Sequence, residues 1–234
     1  MKILIATGIF PPEIGGPATY AAELATKLVQ AGHIVNLVTY SNGTSEPGDE
    51  EYPFSIDRII RYGKFSNYFR FFWYLLFQMR KYDIVYSLDW FSVGGPLWMA
   101  SGFNGKKYLL RVGGGYIWEK YLAQGKPPVT MREFYEKELY RKYPFMYWLI
   151  KNVLLGAEMV IFNSNVQAEL YNNHYKLPTE KLRVVYNPTS APAIPVTRST
   201  STKQIVFAGR FIVMKNVESL IRAFAQMKDT TYTL

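Results

Sequence analysis

Two short stretches of the chain hold residues whose types and spacing suit the binding of an anion. The first runs Gly8-Ile9-Phe10-Pro11-Pro12-Glu13-Ile14-Gly15-Gly16-Pro17. Its last two glycines stand where a helix is expected to begin. Free backbone amides and the positive end of the helix dipole would face a ligand there, and glycine lets that ligand approach the backbone closely. The competing reading is an ordinary tight turn from strand to helix. Glycines at positions 8, 15 and 16 do not have the spacing of the dinucleotide fingerprint, which argues against a dehydrogenase.

The second stretch is Phe207-Ala208-Gly209-Arg210, followed by Lys215-Asn216. An arginine at the carboxyl end of a strand and a lysine five residues later flank a helix N-terminus, so a fork donor and a point cation converge on one place. A diphosphate fits that arrangement. On spacing alone, a pair of solvated cations on a surface loop is the commoner outcome.

The rest of the composition narrows the chemistry. There are no cysteines and only two histidines, His33 and His174. That excludes disulfides, thiolate metal sites and a cysteine nucleophile, and it disfavours a histidine-rich metal site. The formal charge of +9 points to an anionic partner or to simple solubility. It is concentrated between positions 58 and 81, where Arg58, Arg61, Lys64, Arg70, Arg80 and Lys81 meet no acidic residue. No nucleic-acid motif accompanies the charge, so a nucleic-acid partner is not expected. No apolar run is long enough to span a bilayer and no signal-peptide pattern opens the chain, which makes a cytoplasmic location the expectation.

The elements that must position these residues follow from periodicity. Residues 2–7 form a short apolar run ending at Gly8, as a buried parallel strand does. Pro17 suits a first helical position; Tyr20, Ala21, Leu24, Ala25 and Leu28 recur at helical spacing until Gly32 closes the helix. A strand over 34–40 completes a strand, helix, strand unit. Further strands are expected at 83–88, 107–112, 158–163 and 182–186, separated by helical stretches, which predicts an α/β doubly wound parallel sheet. The helix expected over 66–81 has one narrow polar stripe (Asn67, Arg70, Tyr74, Gln78, Lys81) and a very wide apolar face, read mainly as packing against the sheet. Thr130 and Glu133 form a capping box, and Pro144 should restart the helix that follows. Residues 188–203 have three prolines and many hydroxyls, and read as a linker. A buried-type strand over 204–208 and a helix over 217–227 then open a second α/β domain, with a further strand starting near residue 231. The expected division is 1–187, linker 188–203, and 204–234 as an incomplete second domain.

Taken in order, Pro-Pro-x-x-Gly-Gly at 11–16, Gly-His at 32–33, Val-Val-Tyr-Asn-Pro at 184–188 and Ala-Gly-Arg-x4-Lys-Asn-x3-Leu-Ile-x-Ala-Phe at 208–224 resemble family 4 glycosyltransferases. That resemblance implies the two-domain, Rossmann-like glycosyltransferase B fold, with the second Rossmann-like domain truncated. It implies transfer of a hexosyl group from a nucleotide-sugar donor to a glycan or lipid-linked acceptor, with retained configuration, no metal and no separate cofactor. Gly15 and Gly16 would face the donor phosphate and acceptor; Arg210 and Lys215 would neutralise the departing diphosphate. His33 matches a structural position. Many relatives carry a histidine in the loop after the strand at 107–112; this chain reads Gly113-Gly114-Gly115-Tyr116-Ile117-Trp118-Glu119, which makes Gly115 an unusual occupant and Glu119 the substitute candidate, the alternative for Glu119 being a helix-start charge. The family's Glu-x7-Glu donor segment is expected beyond Leu234, so that little transfer is expected of these residues alone and a non-catalytic binding module of the same fold is the second reading. The helix over 66–81 and the aromatic segment over 135–155 add an expectation of peripheral contact with the inner face of a membrane.

Overall fold

The computed structural model describes residues 1–188, 203–209, 211–227 and 231–233. They divide into two compact units, residues 1–114 with 138–186, and residues 115–137 with 187–234.

The first unit is built on β1 (Lys2–Thr7), β2 (Ile34–Ser41), β3 (Ser55–Ile60), β4 (Ile84–Ser87), β5 (Leu109–Val112), β6 (Met159–Phe162) and β7 (Leu182–Val184). All pair in parallel in the order β3-β2-β1-β4-β5-β6-β7, with Ile3 opposite Val35 on one side and Ile84 on the other. The chain first winds outward through β2 and β3, then returns to β1 and winds the other way. The reversal lies between β1 and β4, and in such sheets the crevice at the carboxyl ends of the two central strands is where ligands bind.

Alternation along the strands decides which helix covers which face. Ile3, Ile5, Val35 and Leu37 form one buried cluster with Ala21 and Ala25 of helix α1 (Gly16–Gln30) and with Phe10 and Phe54. Residues on the opposite face meet α2 (Lys64–Gln78): Tyr40 packs on Phe71 with ring centroids 4.7 Å apart, and Asn36 Nδ2 lies 3.4 Å from Tyr74 Oη. α3 (Gly94–Asn104) lies beside α2 and α6 (Pro144–Gly156) beside α3; the last helix of the unit is α7 (Asn165–Tyr175). Pro144 occupies the first turn of α6, as its missing N–H allows, and α7 is capped by Ser164 Oγ, which accepts from Gln167 N at 3.2 Å. No described helix is long and apolar enough to cross a membrane.

Three sequence expectations change here. β3 was not among the expected strands: it is an edge strand that holds Asp57 and Arg58 and so has no buried apolar run. Asp57 is accommodated by Asn36 Nδ2 at 2.8 Å and by Tyr74 Oη. The helix expected over 66–81 begins earlier and ends as a tighter turn over Met79–Lys81. Its apolar face is wider than the sheet can cover. Phe71, Leu75 and Met79 are fully buried, each a burial worth about 1.5–3 kcal/mol, whereas Phe65, Phe69, Trp73 and Phe77 are exposed.

The second unit contains α4 (Tyr116–Ala123), α5 (Met131–Glu136), the two-residue strands β8 (Lys203–Gln204) and β9 (Tyr232–Thr233), and α8 (Val217–Ala225). The capping box at Thr130 is present: Glu133 N donates to Thr130 Oγ1 at 3.1 Å and Thr130 N to Glu133 Oε2 at 2.8 Å. The strand expected over 204–208 is shorter and is not buried. β8 pairs in parallel with β9, Ile205 N donates to Thr233 O at 2.8 Å, and Val206 is 80% exposed. A cavity of about 420 Å³ lies along α8, lined by Ile205, Phe207, Phe211, Leu220 and Ile221, so the apolar side of the helix does not close on the strand. All but residues 188 and 203 of the expected linker lie outside the described residues.

Candidate functional site

The loop of residues 8–15 leaves β1 at the strand-order reversal and runs into the N-terminus of α1. Gly15 is the residue before the helix and has no side chain to cap it, Pro17 lies in the first turn, and that turn holds no acidic residue. Ala18 N and Thr19 N both donate to Gly15 O, at 3.0 and 3.2 Å. A Cβ on Gly16 would meet nothing within 4 Å, so this end of the helix is open to an approaching group. The dipole and the amide of Gly16, the first-turn N–H left over by Pro17 and by the bonds to Gly15 O, favour an anion. This is where the sequence placed Gly15 and Gly16.

The walls of the crevice come from the neighbouring strand ends. Buried hydroxyls there turn strands into loops: Thr7 Oγ1 donates to Ile9 O at 3.0 Å, and Ser87 Oγ to Asp89 O at 2.6 Å. Asp89 Oδ1 accepts from Phe91 N and Ser92 N at 2.8 and 2.7 Å, and Oδ2 from Ser92 Oγ at 2.5 Å. Gly8 is a glycine because of this group. A Cβ there would overlap Asp89 Oδ2 and stand 2.7 Å from Ser92 Oγ. Tyr40 donates to Ser92 O at 3.1 Å, and its hydroxyl is pushed far above the usual phenol range, first by burial and then by the Asp89 charge.

From the other side, two arginines at the carboxyl end of β3 reach the same loop. Arg58 makes a bidentate pair with Asp49, Nε to Oδ2 at 2.7 Å and Nη2 to Oδ1 at 2.6 Å, and also donates to Pro11 O at 2.6 Å. Its side chain is 1% exposed. The guanidinium holds the Asp49 carboxyl below the usual carboxylate range. Arg61 pairs with Glu13, Nη1 to Oε1 at 2.6 Å and Nη2 to Oε2 at 3.0 Å, and donates to Gly8 O at 3.1 Å. The sequence had singled out both arginines only as part of a cationic segment. Their acids lie nine and 48 residues away in the chain, so no local spacing could have paired them.

The loop after β5 is also fixed from within the unit. Asn163 Nδ2 donates to Gly113 O at 3.3 Å, and Gln167 Nε2 and Tyr171 Oη both donate to Gly114 O at 3.0 Å.

In the second unit, Glu119 lies in the first turn of α4 and its Oε1 accepts from Gly115 N at 3.1 Å, the arrangement of a helix-start carboxylate. A Cβ on Gly115 would meet Met131 Cε at 2.8 Å. Lys215 ends the turn Val213–Lys215 and is exposed; Asn216, in the left-handed region, leads into α8. Arg210 lies outside the described residues. Among the described residues no group of three or more histidines or carboxylates could hold a metal ion.

The model of Glycosyltransferase Family 4 matches residues 14–191. The chain belongs to that family. Among solved structures the family 4 chain is similar to HepE of Anabaena in complex with UDP and glucose, at 14% identity and a TM-score of 0.67 over all of this chain and 59% of that one. It is similar to WaaG, a glycosyltransferase involved in lipopolysaccharide biosynthesis, at 14% identity and a TM-score of 0.62 over all of this chain and 62% of that one. It is similar to MurG of Acinetobacter baumannii, at 17% identity and a TM-score of 0.52 over 97% of this chain and 55% of that one. These likenesses show the glycosyltransferase B fold, in agreement with the sequence. The family 4 chain spans about 59% of the length of HepE. No curated protein matches it.

A second surface of the family 4 chain stands apart from the crevice. Phe69, Trp73 and Phe77 form a continuous exposed row on α2, with Phe69 and Trp73 edge-on at 5.6 Å and Trp73 and Phe77 stacked at 5.5 Å. Phe103 of α3 joins through Phe72, and Phe145 and Trp148 of α6 are exposed beside Trp98. The sequences of α2, α3 and α6 contain no Asp or Glu.

Proposed function

We propose that this protein transfers a hexosyl group from a nucleotide-sugar donor to a glycan or lipid-linked acceptor, with the crevice between β1 and β4 as the acceptor side. The observation that carries the reading is the open N-terminus of α1, with Gly15 and Gly16 at the strand-order reversal of a family 4 fold. A nucleoside diphosphate leaving a sugar keeps the electron pair of the broken C–O bond and gains one negative charge, and electrostatic stabilisation of that charge is the largest catalytic effect a site of this kind supplies. Arg210 and Lys215 are assigned to that role, and Gly15 and Gly16 to the donor phosphate and acceptor. HepE in complex with UDP-glucose supports a nucleotide sugar as the donor class. The test is transfer of labelled sugar by the full-length protein from a panel of nucleoside-diphosphate sugars. Alanine at Arg210 or at Lys215 is expected to lower the rate by about two to three orders of magnitude. Unchanged transfer in both variants would sink the assignment.

The exposed aromatic row supports a finer reading of the partner. A helix that carries aromatics and cations without acids suits the interface of an anionic bilayer, which would bring a lipid-linked acceptor to the protein. Co-sedimentation with vesicles of about 30% anionic lipid should fall several-fold for Phe69→Ser with Trp73→Ser. Equal binding of the double variant would remove this face from the account.

A further inference from the structure

Arg58 of β3 and Arg61 just after it hold residues 8–15 in different ways. Arg58 is an anchor: it is buried, paired in bidentate fashion with Asp49, and tied to the loop at Pro11 O. Arg61 is 28% exposed and its partner Glu13 36% exposed, so the second tie is open to water and salt. Glu13 stands two residues before Gly15. Between the two ties, Phe10 is fully buried in the core cluster, whereas Ile14, beyond Glu13, is 90% exposed. The loop is thus fixed to the core on one side of Pro11; on the other it is held by the charged contact and by one backbone hydrogen bond, Glu13 N to Phe10 O at 3.1 Å.

We infer that Arg61 and Glu13 form a releasable latch that positions residues 13–16 at the N-terminus of α1, with Arg58 as its permanent anchor. Two physical effects follow from one contact. Closing the latch limits where Gly15 and Gly16 sit. It also offsets the Glu13 carboxylate, which would otherwise repel an anion arriving within a few residues of it. Arg61 therefore acts as a positioning residue, through Glu13 and the loop. The assignment rests on the transfer reading for its purpose, though the contact itself needs no substrate.

Amide hydrogen exchange on the 234-residue chain tests it. In Glu13→Gln and in Arg61→Gln, the amides at positions 13, 18 and 19, which donate to Phe10 O and Gly15 O, are expected to exchange about five- to tenfold faster, while those of β1 and β2 keep wild-type rates. In the wild type about 1 M NaCl should produce most of the same acceleration, and the variants should show little further change. The exchanged pair Glu13→Arg with Arg61→Glu should recover most of the protection, which a residue acting only by its bulk would not do. Unchanged exchange in both single variants, or acceleration that ignores salt and is not recovered by the exchanged pair, would overturn the latch. Because no sugar or nucleotide enters these measurements, their failure leaves the transfer reading to be judged separately by the Arg210 and Lys215 variants.

Discussion

The loop of residues 8–16 and the turn that ends at Lys215 carry similar local chemistry: glycine, a cation nearby, and the start of a helix. Their surroundings differ. The first is clamped on both sides, by Arg58 and Arg61 at the carboxyl end of β3 and by the Asp89 group after β4. The second follows a two-residue ladder, with Phe211 82% and Val213 72% exposed and Lys215 in solvent. Residue type sets what a segment can bind, while the ties from neighbouring elements set how far it is organised beforehand. A bound anion should therefore meet a more firmly tied segment at the first place than at the second.

The largest effect that separates the two is expected at the anchor. Arg58→Met should cost about 3–5 kcal/mol of stability, because it strands a carboxylate and a carbonyl that the guanidinium now satisfies. Lys215→Met should change stability by no more than about 0.5 kcal/mol. Urea midpoints measure both, and similar losses would break the comparison. Next in size is Gly8→Ala, expected to cost about 1–3 kcal/mol as the new Cβ pushes into the Asp89 and Ser92 group. Gly16→Ala has open space and should be neutral or gain up to about 1 kcal/mol, while hindering close approach of an anion.

The second unit is not without local order, and Thr130→Ala should reveal it by costing about 1 kcal/mol through loss of the capping box. The smallest effect is in pH. Asp49 has its folded pKa below the unfolded value of about 3.9. It therefore contributes stability that is complete above that value and is lost as the pH falls through the lower, folded one. Asp49→Asn should flatten that part of the acid transition. A transition of unchanged slope would mean that the Arg58 pair does not distinguish folded from unfolded chain.

Much of the fold was legible because its signals are local. Pro17, the apolar spacing of Tyr20 to Leu28, and the apolar runs ending at Gly8 and near Tyr40 each specify an element without help from distant residues. β3 was missed because its Asp57 and Arg58 are tolerated only through partners on β2, α2 and Asp49. The exposed row on α2 was read as core because periodicity reports how wide an apolar face is, not how much sheet there is to cover it. At the site, Gly15 and Gly16 could be found from helix-start chemistry. Asp89 gave no signal of its own, and Arg58 and Arg61 showed only as charge, since what they do depends on where the winding of the sheet brings Pro11 and Glu13. The strand over 204–208 reads as buried from its apolar run, yet with β9 as its paired neighbour among the described residues it stays exposed.

The most direct measurement is a titration of the ¹⁵N-labelled chain with UDP, followed by the amide resonances of its glycines. The account predicts saturable shifts at Gly8, Gly15 and Gly16 that inorganic pyrophosphate reverses by competition, with Gly32 at the far end of α1 unmoved. Shifts confined to other residues, with Gly15 and Gly16 unchanged at saturation, would contradict it.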